Sequence, residues 1–203
     1  RDDAAVELAH LYLSTAKIDQ AAELLQGRTF QPWEGGEGQA LRAWDRMCLA
    51  QARRAMAGGE PDAAVSWLDR ALDPPQSLGE QRHPLANSAL LDLVRGDALA
   101  QAGKVEQARQ SWSRAASQVG DFLRMSITPF SENTFASVLA CRRLGQDDAV
   151  LVAGLARYCD ELESTPASID YFATSLPSLL LFTEDPELTK ATRVRYLRAQ
   201  MDL

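Results

Sequence analysis

The chain has 203 residues, with 21 Lys and Arg against 28 Asp and Glu, a formal charge of −7. Hydrophobic residues make up 46% and charged residues 24%, the balance of a folded domain and too apolar for a disordered one. The acidic balance weighs against nucleic acid, which needs concentrated Lys and Arg, and the apolar runs are too short for a membrane-spanning helix (Leu179 to Phe182 is typical).

The chain opens on Arg1, with neither Met nor a basic-then-apolar leader, so no signal peptide is visible in this stretch and a fragment of a longer polypeptide is expected. Residues 8–25 then read LAHLYLSTAKIDQAAELL: an Ala-rich amphipathic helix, a tight turn at Ala16, and a second helix with Ala21 and Leu25 on one face. The same grammar returns at residues 48–72, CLAQARRAMAGGEPDAAVSWLDRAL. Gly59 is the turn, Pro61 suits the first helical turn, and Ala64, Leu68 and Ala71 follow. Residues 94–116, VRGDALAQAGKVEQARQSWSRAA, place Gly103, Ala108, Trp112 and Ala115. Residues 138–162, VLACRRLGQDDAVLVAGLARYCDEL, place Gly145, Ala149 and Val150. The final segment has its own start signal. Asp185 caps, Pro186 takes the first helical position, and Leu188 to Leu203 reads as a helix.

The turn positions Ala16, Gly59, Gly103 and Gly145 lie 43, 44 and 42 residues apart. Each needs a left-handed cap, which Gly adopts without a Cβ clash. The small residue five places on lets two helices approach, and the bulky one four later fills the gap between units. The pattern predicts an all-α chain of helix-turn-helix units at about 1–27, 39–73, 85–119 and 132–164, with terminal helices over 167–203. Between the units lie QGRTFQPWEGGEG, DPPQSLGEQRHPLA, GDFLRMSITPFSEN and STPASIDYFATSLPSLLLFTED, rich in Pro and Gly and therefore read as interruptions.

The spacing of small residues resembles the tetratricopeptide repeat, which is ~34 residues long, so each unit here carries roughly nine more. The segments PWEGGEG (Pro32 to Gly38), ALDPPQSLGE (Ala71 to Glu80), HPLAN (His83 to Asn87) and IDYFATSLPSLLLF (Ile169 to Phe182) bring the match closer. Together they resemble the repeat region of large bacterial tetratricopeptide proteins that carry a β-rich N-terminal domain of unknown function. The resemblance spans about Gly27 to Leu197. It implies a right-handed solenoid, the C-terminal repeat portion alone, and the rest of its own longer chain as one partner. Some such proteins are suspected of acting in carbohydrate metabolism through the N-terminal part.

No motif supports catalysis, and no cofactor is expected. Two His and no close Cys/His cluster argue against structural zinc. Cys48, Cys141 and Cys159 fall at core-like helix positions, and their odd number argues against disulfides and for a reducing, cytoplasmic setting. Trp44, Trp67 and Trp112 read as structural. In PWEGGEG, Glu34 and Glu37 would repel phosphate and the Lys-Ser/Thr of a P-loop is missing, so the plain reading is a tight turn with Glu37 favouring the following helix N-terminus. Trp33, Glu34, Glu37 and His83 are a candidate loop pocket; its plain alternative is a turn beside a solvent-facing His.

The candidate partner surface is the concave face lined by the first helix of each unit. Repeat register puts His10, Arg46, Arg53, Asp97, Gln101, Arg142 and Arg143 there. Arginines in an acidic protein suit bidentate capture of an acidic or C-terminal segment; the alternative is a solvated face. The Lys/Asn set by which some tetratricopeptide domains hold a terminal carboxylate is absent. A second candidate surface is the linker edge, with Phe30, Trp33, Phe122, Phe130, Tyr171 and Phe172, or else these aromatics seal joints between units. The expected function is a non-catalytic scaffold for a protein or peptide partner. The alternatives are an accessory domain of a carbohydrate-related enzyme and the sensor region of a transcription regulator.

Overall fold

The structure, a computed structural model, describes residues 1–33, 36–123, 126–167 and 185–202. Among them the chain is mostly helical, in the order α1 (Asp2–Ser14), α2 (Ile18–Gln26), α3 (Gln39–Ala57), α4 (Pro61–Leu72), α5 (Ala89–Gln101), α6 (Val105–Ser117), α7 (Thr134–Leu144), α8 (Ala149–Ser164) and α9 (Pro186–Met201). The all-α expectation needs one amendment. The third linker forms a small antiparallel pair, β1 (Asp121–Leu123) and β2 (Ser126–Thr128), with Asp121 opposite Thr128. The segment at Ile169 to Phe182, with Tyr171 and Phe172, lies outside the described residues.

The four hairpin turns close alike. Ala16, Gly59, Gly103 and Gly145 hold φ of 58°, 76°, 75° and 69°. The amide after each donates to a carbonyl five residues back: Lys17 to Tyr12 at 2.8 Å, Glu60 to Ala55 at 2.9 Å, Lys104 to Leu99 at 2.8 Å, and Gln146 to Cys141 at 2.9 Å. This is the Schellman closure, which satisfies the last carbonyls of the first helix and turns the chain sharply into the second. Ala16 is the one described non-Gly residue with positive φ.

Ala21 and Leu25, Ala64 and Leu68, and Ala108 and Ala115 are buried where the second helix of each hairpin meets its neighbours. Trp112 differs from its counterpart Leu68. It is half-buried, its ring lies on Gly96 of α5, and a Cβ at Gly96 would stand 2.4 Å from the indole. The large ring is admitted because the facing helix has no side chain there.

The fourth hairpin departs from the expected register. Gln146, Asp147 and Asp148 separate Gly145 from α8, so the helix starts two residues late relative to α2, α4 and α6. Ala149 and Val150, expected in the joint, are exposed, Val150 at 79%. Gly154, Leu155, Tyr158 and Cys159 are buried instead. They pack with Phe135 and Val138 of α7 and with Val194 and Leu197 of α9. Asp185 caps α9 by accepting from the Glu187 amide at 2.9 Å, with Pro186 in the first turn.

Hairpins stack in chain order. First helices touch first helices (α1 with α3, α3 with α5, α5 with α7), and each second helix touches the next first helix (α2 with α3, α4 with α5, α6 with α7, α8 with α9). The linkers fill one edge by folding back on their own hairpin. Asp2 of α1 accepts from Arg28 Nε at 2.8 Å and from the Gln31 amide at 2.8 Å. Glu80 accepts from the Gly38 amide at 2.6 Å and the Leu41 amide at 2.9 Å, capping α3 from about forty residues away. Asp121 accepts from the Asn87 amide at 2.9 Å, and Gln118 from the Ser88 amide at 2.7 Å, at the start of α5. A carboxylate at the N-terminus of α3 is supplied by Glu80, from the linker that follows α4. A carboxylate there meets both unpaired amides and the positive end of the helix dipole.

Candidate functional site

The face of the first helices turned away from the core carries the predicted partner-binding residues. Counting back from each left-handed turn, His10, Arg53 and Asp97 occupy one equivalent position on α1, α3 and α5. On α3, Arg42, Arg46 and Arg53 are spaced i, i+4 and i+11, which puts them within about 40° around the helix and spreads them over ~16 Å of its length. All three are exposed. The i, i+4 spacing of Arg42 and Arg46 was visible in the sequence, yet Arg42, one turn before Arg46, was not singled out.

The predicted residues divide into bonded and open groups. Arg143 donates to Asp97 through Nε at 3.0 Å and through a terminal nitrogen at 3.3 Å, joining α7 to α5. Asp97 also accepts from Trp112 Nε1 at 3.0 Å. Arg142 pairs with Asp148 at 2.6 Å and lies over the Phe135 ring, 5.9 Å from its centroid. Gln101 donates to the Met56 carbonyl at 3.1 Å, tying α5 to the end of α3. These four are held by their own molecule. Arg42, Arg46 and Arg53 have no carboxylate partner among the described residues.

Arg46 has a different neighbour. It lies 2.9 Å from His10 Nδ1. A guanidinium only donates, so Nδ1 is bare and His10 is the neutral tautomer with its proton on Nε2. Burial of His10, reinforced by the charge of Arg46, pushes its pKa below the ordinary imidazole value.

The candidate loop pocket comes apart. Trp33 and Glu37 line a cleft of ≈ 360 Å³ with Pro32, Leu78 and Glu80. His83 lines another, of ≈ 450 Å³, with Arg82, Asn87 and Ser88. His83 stacks on Phe122 with ring centroids 3.9 Å apart, and its Nδ1 accepts from the Leu85 amide at 3.1 Å. Glu34 lies outside the described residues. The sugar-binding alternative needs a platform of aromatic and free carboxylates near Trp33. Of the two carboxylates lining that cleft, Glu37 and Glu80, Glu80 has both oxygens on α3 amides. Of the linker aromatics, Phe30 is buried and Phe130 packs on Gly154 and Tyr158, so both seal joints.

The cysteines are poor nucleophiles. Burial pushes the Cys48 thiol up to about 12 and raises Cys141 and Cys159 as well. Among the described residues, no group of three His, Cys, Asp or Glu could hold a metal ion, and no helix is long and apolar enough to cross a membrane. No protein-family model matches the chain, and no solved structure matches it significantly.

Proposed function

We propose that the chain is a tetratricopeptide-like right-handed superhelix that works as a non-catalytic scaffold, capturing an acidic segment of a protein partner on its inner face. The observation that carries this reading is the arginine row of α3. Most arginines around it are neutralised by carboxylates of the chain, while Arg42, Arg46 and Arg53 stand exposed on one side of one helix without such a partner. In a chain of net charge −7, that row concentrates three positive charges on one side of one helix, where negative charge is attracted. Guanidiniums are weakly hydrated forks matched to carboxylates, so the row favours Asp- and Glu-rich peptide over apolar peptide. The recurrent hairpin closure and the chain-order stacking support the superhelix. The buried, unpaired cysteines fit a reducing, cytoplasmic setting.

The test is affinity capture from lysate with the chain immobilised, read by mass spectrometry against an Arg42→Glu/Arg53→Glu variant. The proposal expects partners with an acidic segment that the variant loses, at an unchanged melting temperature. Equal capture by both proteins overturns it.

A further inference from the structure

Two contacts of the inner face join one first helix to the next by the same device. His10 and Asp97 stand at one equivalent position, counted back from Ala16 and Gly103. Each accepts from an arginine of the following first helix. Asp97 takes Arg143 of α7 at 3.0 Å, and His10 Nδ1 takes Arg46 of α3 at 2.9 Å. The acceptors differ in kind. A carboxylate stays charged across the physiological range, whereas an imidazole exchanges its bare nitrogen for an N–H near neutrality. Protonation at Nδ1 turns the acceptor into a donor, so it releases Arg46 and sets two cations side by side.

The surroundings decide when that happens. The charges facing the ring are Glu7 of its own helix and Arg42 and Arg46 of α3. Among the described residues, α2 adds none to that set, and its Asp19 is held by Arg54 at 2.7 Å. In the linker after α2, Arg28 is bonded to Asp2, ~12 Å back along α1. In the free chain, two arginines and partial burial outweigh one carboxylate, and the neutral ring is favoured. An acidic occupant reverses the balance. Its carboxylates offer Arg46 a stronger acceptor than an imidazole nitrogen and bring negative charge to the ring, and both changes favour the protonated form.

We infer that capture of an acidic segment on the arginine row is coupled to uptake of a proton by His10, so that the inner face holds its partner more tightly as the pH falls. The proton comes from solvent and goes to Nδ1, the nitrogen that Arg46 leaves. His10 then adds its charge to those of Arg42, Arg46 and Arg53. The inference rests on the arginine row as the place of capture. By linkage, affinity rises as the pH falls through the value that His10 has in the complex, and levels off below its lower value in the free chain.

The probe is a rhodamine-labelled oligoaspartate peptide with blocked ends. Its binding is followed by fluorescence anisotropy between about pH 7.5 and 5.5, above the ordinary carboxyl value of Asp near ~3.9. The wild type is expected to bind about 10-fold more tightly at the lower pH. His10→Gln keeps an oxygen that can accept from Arg46 but has no proton to gain, and there the tightening is lost. Circular dichroism melting checks that this variant remains folded. NMR on the wild type gives a second readout. The chain has two histidines, His10 and His83, and saturating peptide should move the titration of His10 to higher pH while that of His83 stays in place. No tightening, equal tightening in both proteins, or a His10 titration that the peptide does not move overturns the inference. Arg42→Glu/Arg53→Glu separates it from the reading beneath it. Peptide binding lost in that variant, beside a wild type indifferent to pH, overturns the proton coupling alone. Binding that the variant keeps, or no saturable binding by the wild type at either pH, overturns both.

Discussion

Ala16 stands in the first hairpin where Gly103 stands in the third, and both hold the left-handed backbone, at φ 58° and 75°. The same closure is made by two residues of unequal fitness for it. A Cβ in that region costs roughly 1–2 kcal/mol, partly offset by the greater freedom glycine loses on folding.

Ala16→Gly should therefore stabilise the chain by about 0.5–1 kcal/mol. Gly103→Ala should destabilise it by about 1 kcal/mol, through backbone conformation alone, because a Cβ there meets nothing within 4 Å. Urea denaturation of both variants checks this. Equal and opposite-to-expected shifts would mean that the two turns are not equivalent.

The α3 cap is borrowed from a distant linker, and its loss should be local. Glu80→Ala removes the acceptor for the Gly38 and Leu41 amides and should cost about 1–2 kcal/mol. Hydrogen exchange should quicken at Gly38 and Leu41 while α5 and α6 keep their protection. Uniform quickening along the chain would contradict a clip acting on α3.

Gly96 and Trp112 form a lock whose two halves can be tested together. Gly96→Ala drives a Cβ to 2.4 Å from the indole and should cost about 1–3 kcal/mol. In the background of Trp112→Leu the same change should cost far less, a coupling that a double-mutant cycle measures. Additive effects would mean that the ring does not rest on that glycine.

His10 gives a pH signature. Its folded pKa lies below the unfolded value of ~6.5, so folding favours the neutral ring. Between the two values the unfolded chain binds more protons, and its contribution to stability is present above ~6.5 and lost as pH falls through the lower folded value. His10→Gln should flatten that part of the stability–pH curve on the acid side of ~6.5. An unchanged slope would mean that burial beside Arg46 does not hold His10 in its neutral form.

The sequence carried the hairpins because their determinants are local. A left-handed turn residue, a small residue five places on and the helix pattern between them all fall within one stretch of chain, and Ala64, Leu68 and Ala108 are buried as that pattern requires. The fourth unit was misread for the same reason. Val150 stands at the repeat position by number, but the three residues after Gly145 delay α8 and rotate Gly154 and Leu155 into the joint. The linkers were opaque. Glu80 caps α3 and Asp121 meets Asn87 through bonds spanning more than thirty residues, which periodicity does not encode. At the candidate site, position was legible and pairing was not. Arg143 sits on the predicted face yet is already joined to Asp97, whereas Arg53 is open.

The most direct test of the arginine row is phenylglyoxal footprinting, with each arginine read by mass spectrometry in the free chain and in complex with a captured acidic partner. The account predicts protection of Arg42, Arg46 and Arg53, with Arg109 and Arg157, exposed on the second helices α6 and α8, modified equally in both states. Unchanged modification of Arg42 and Arg53 on binding, or protection confined to Arg109 and Arg157, would contradict it.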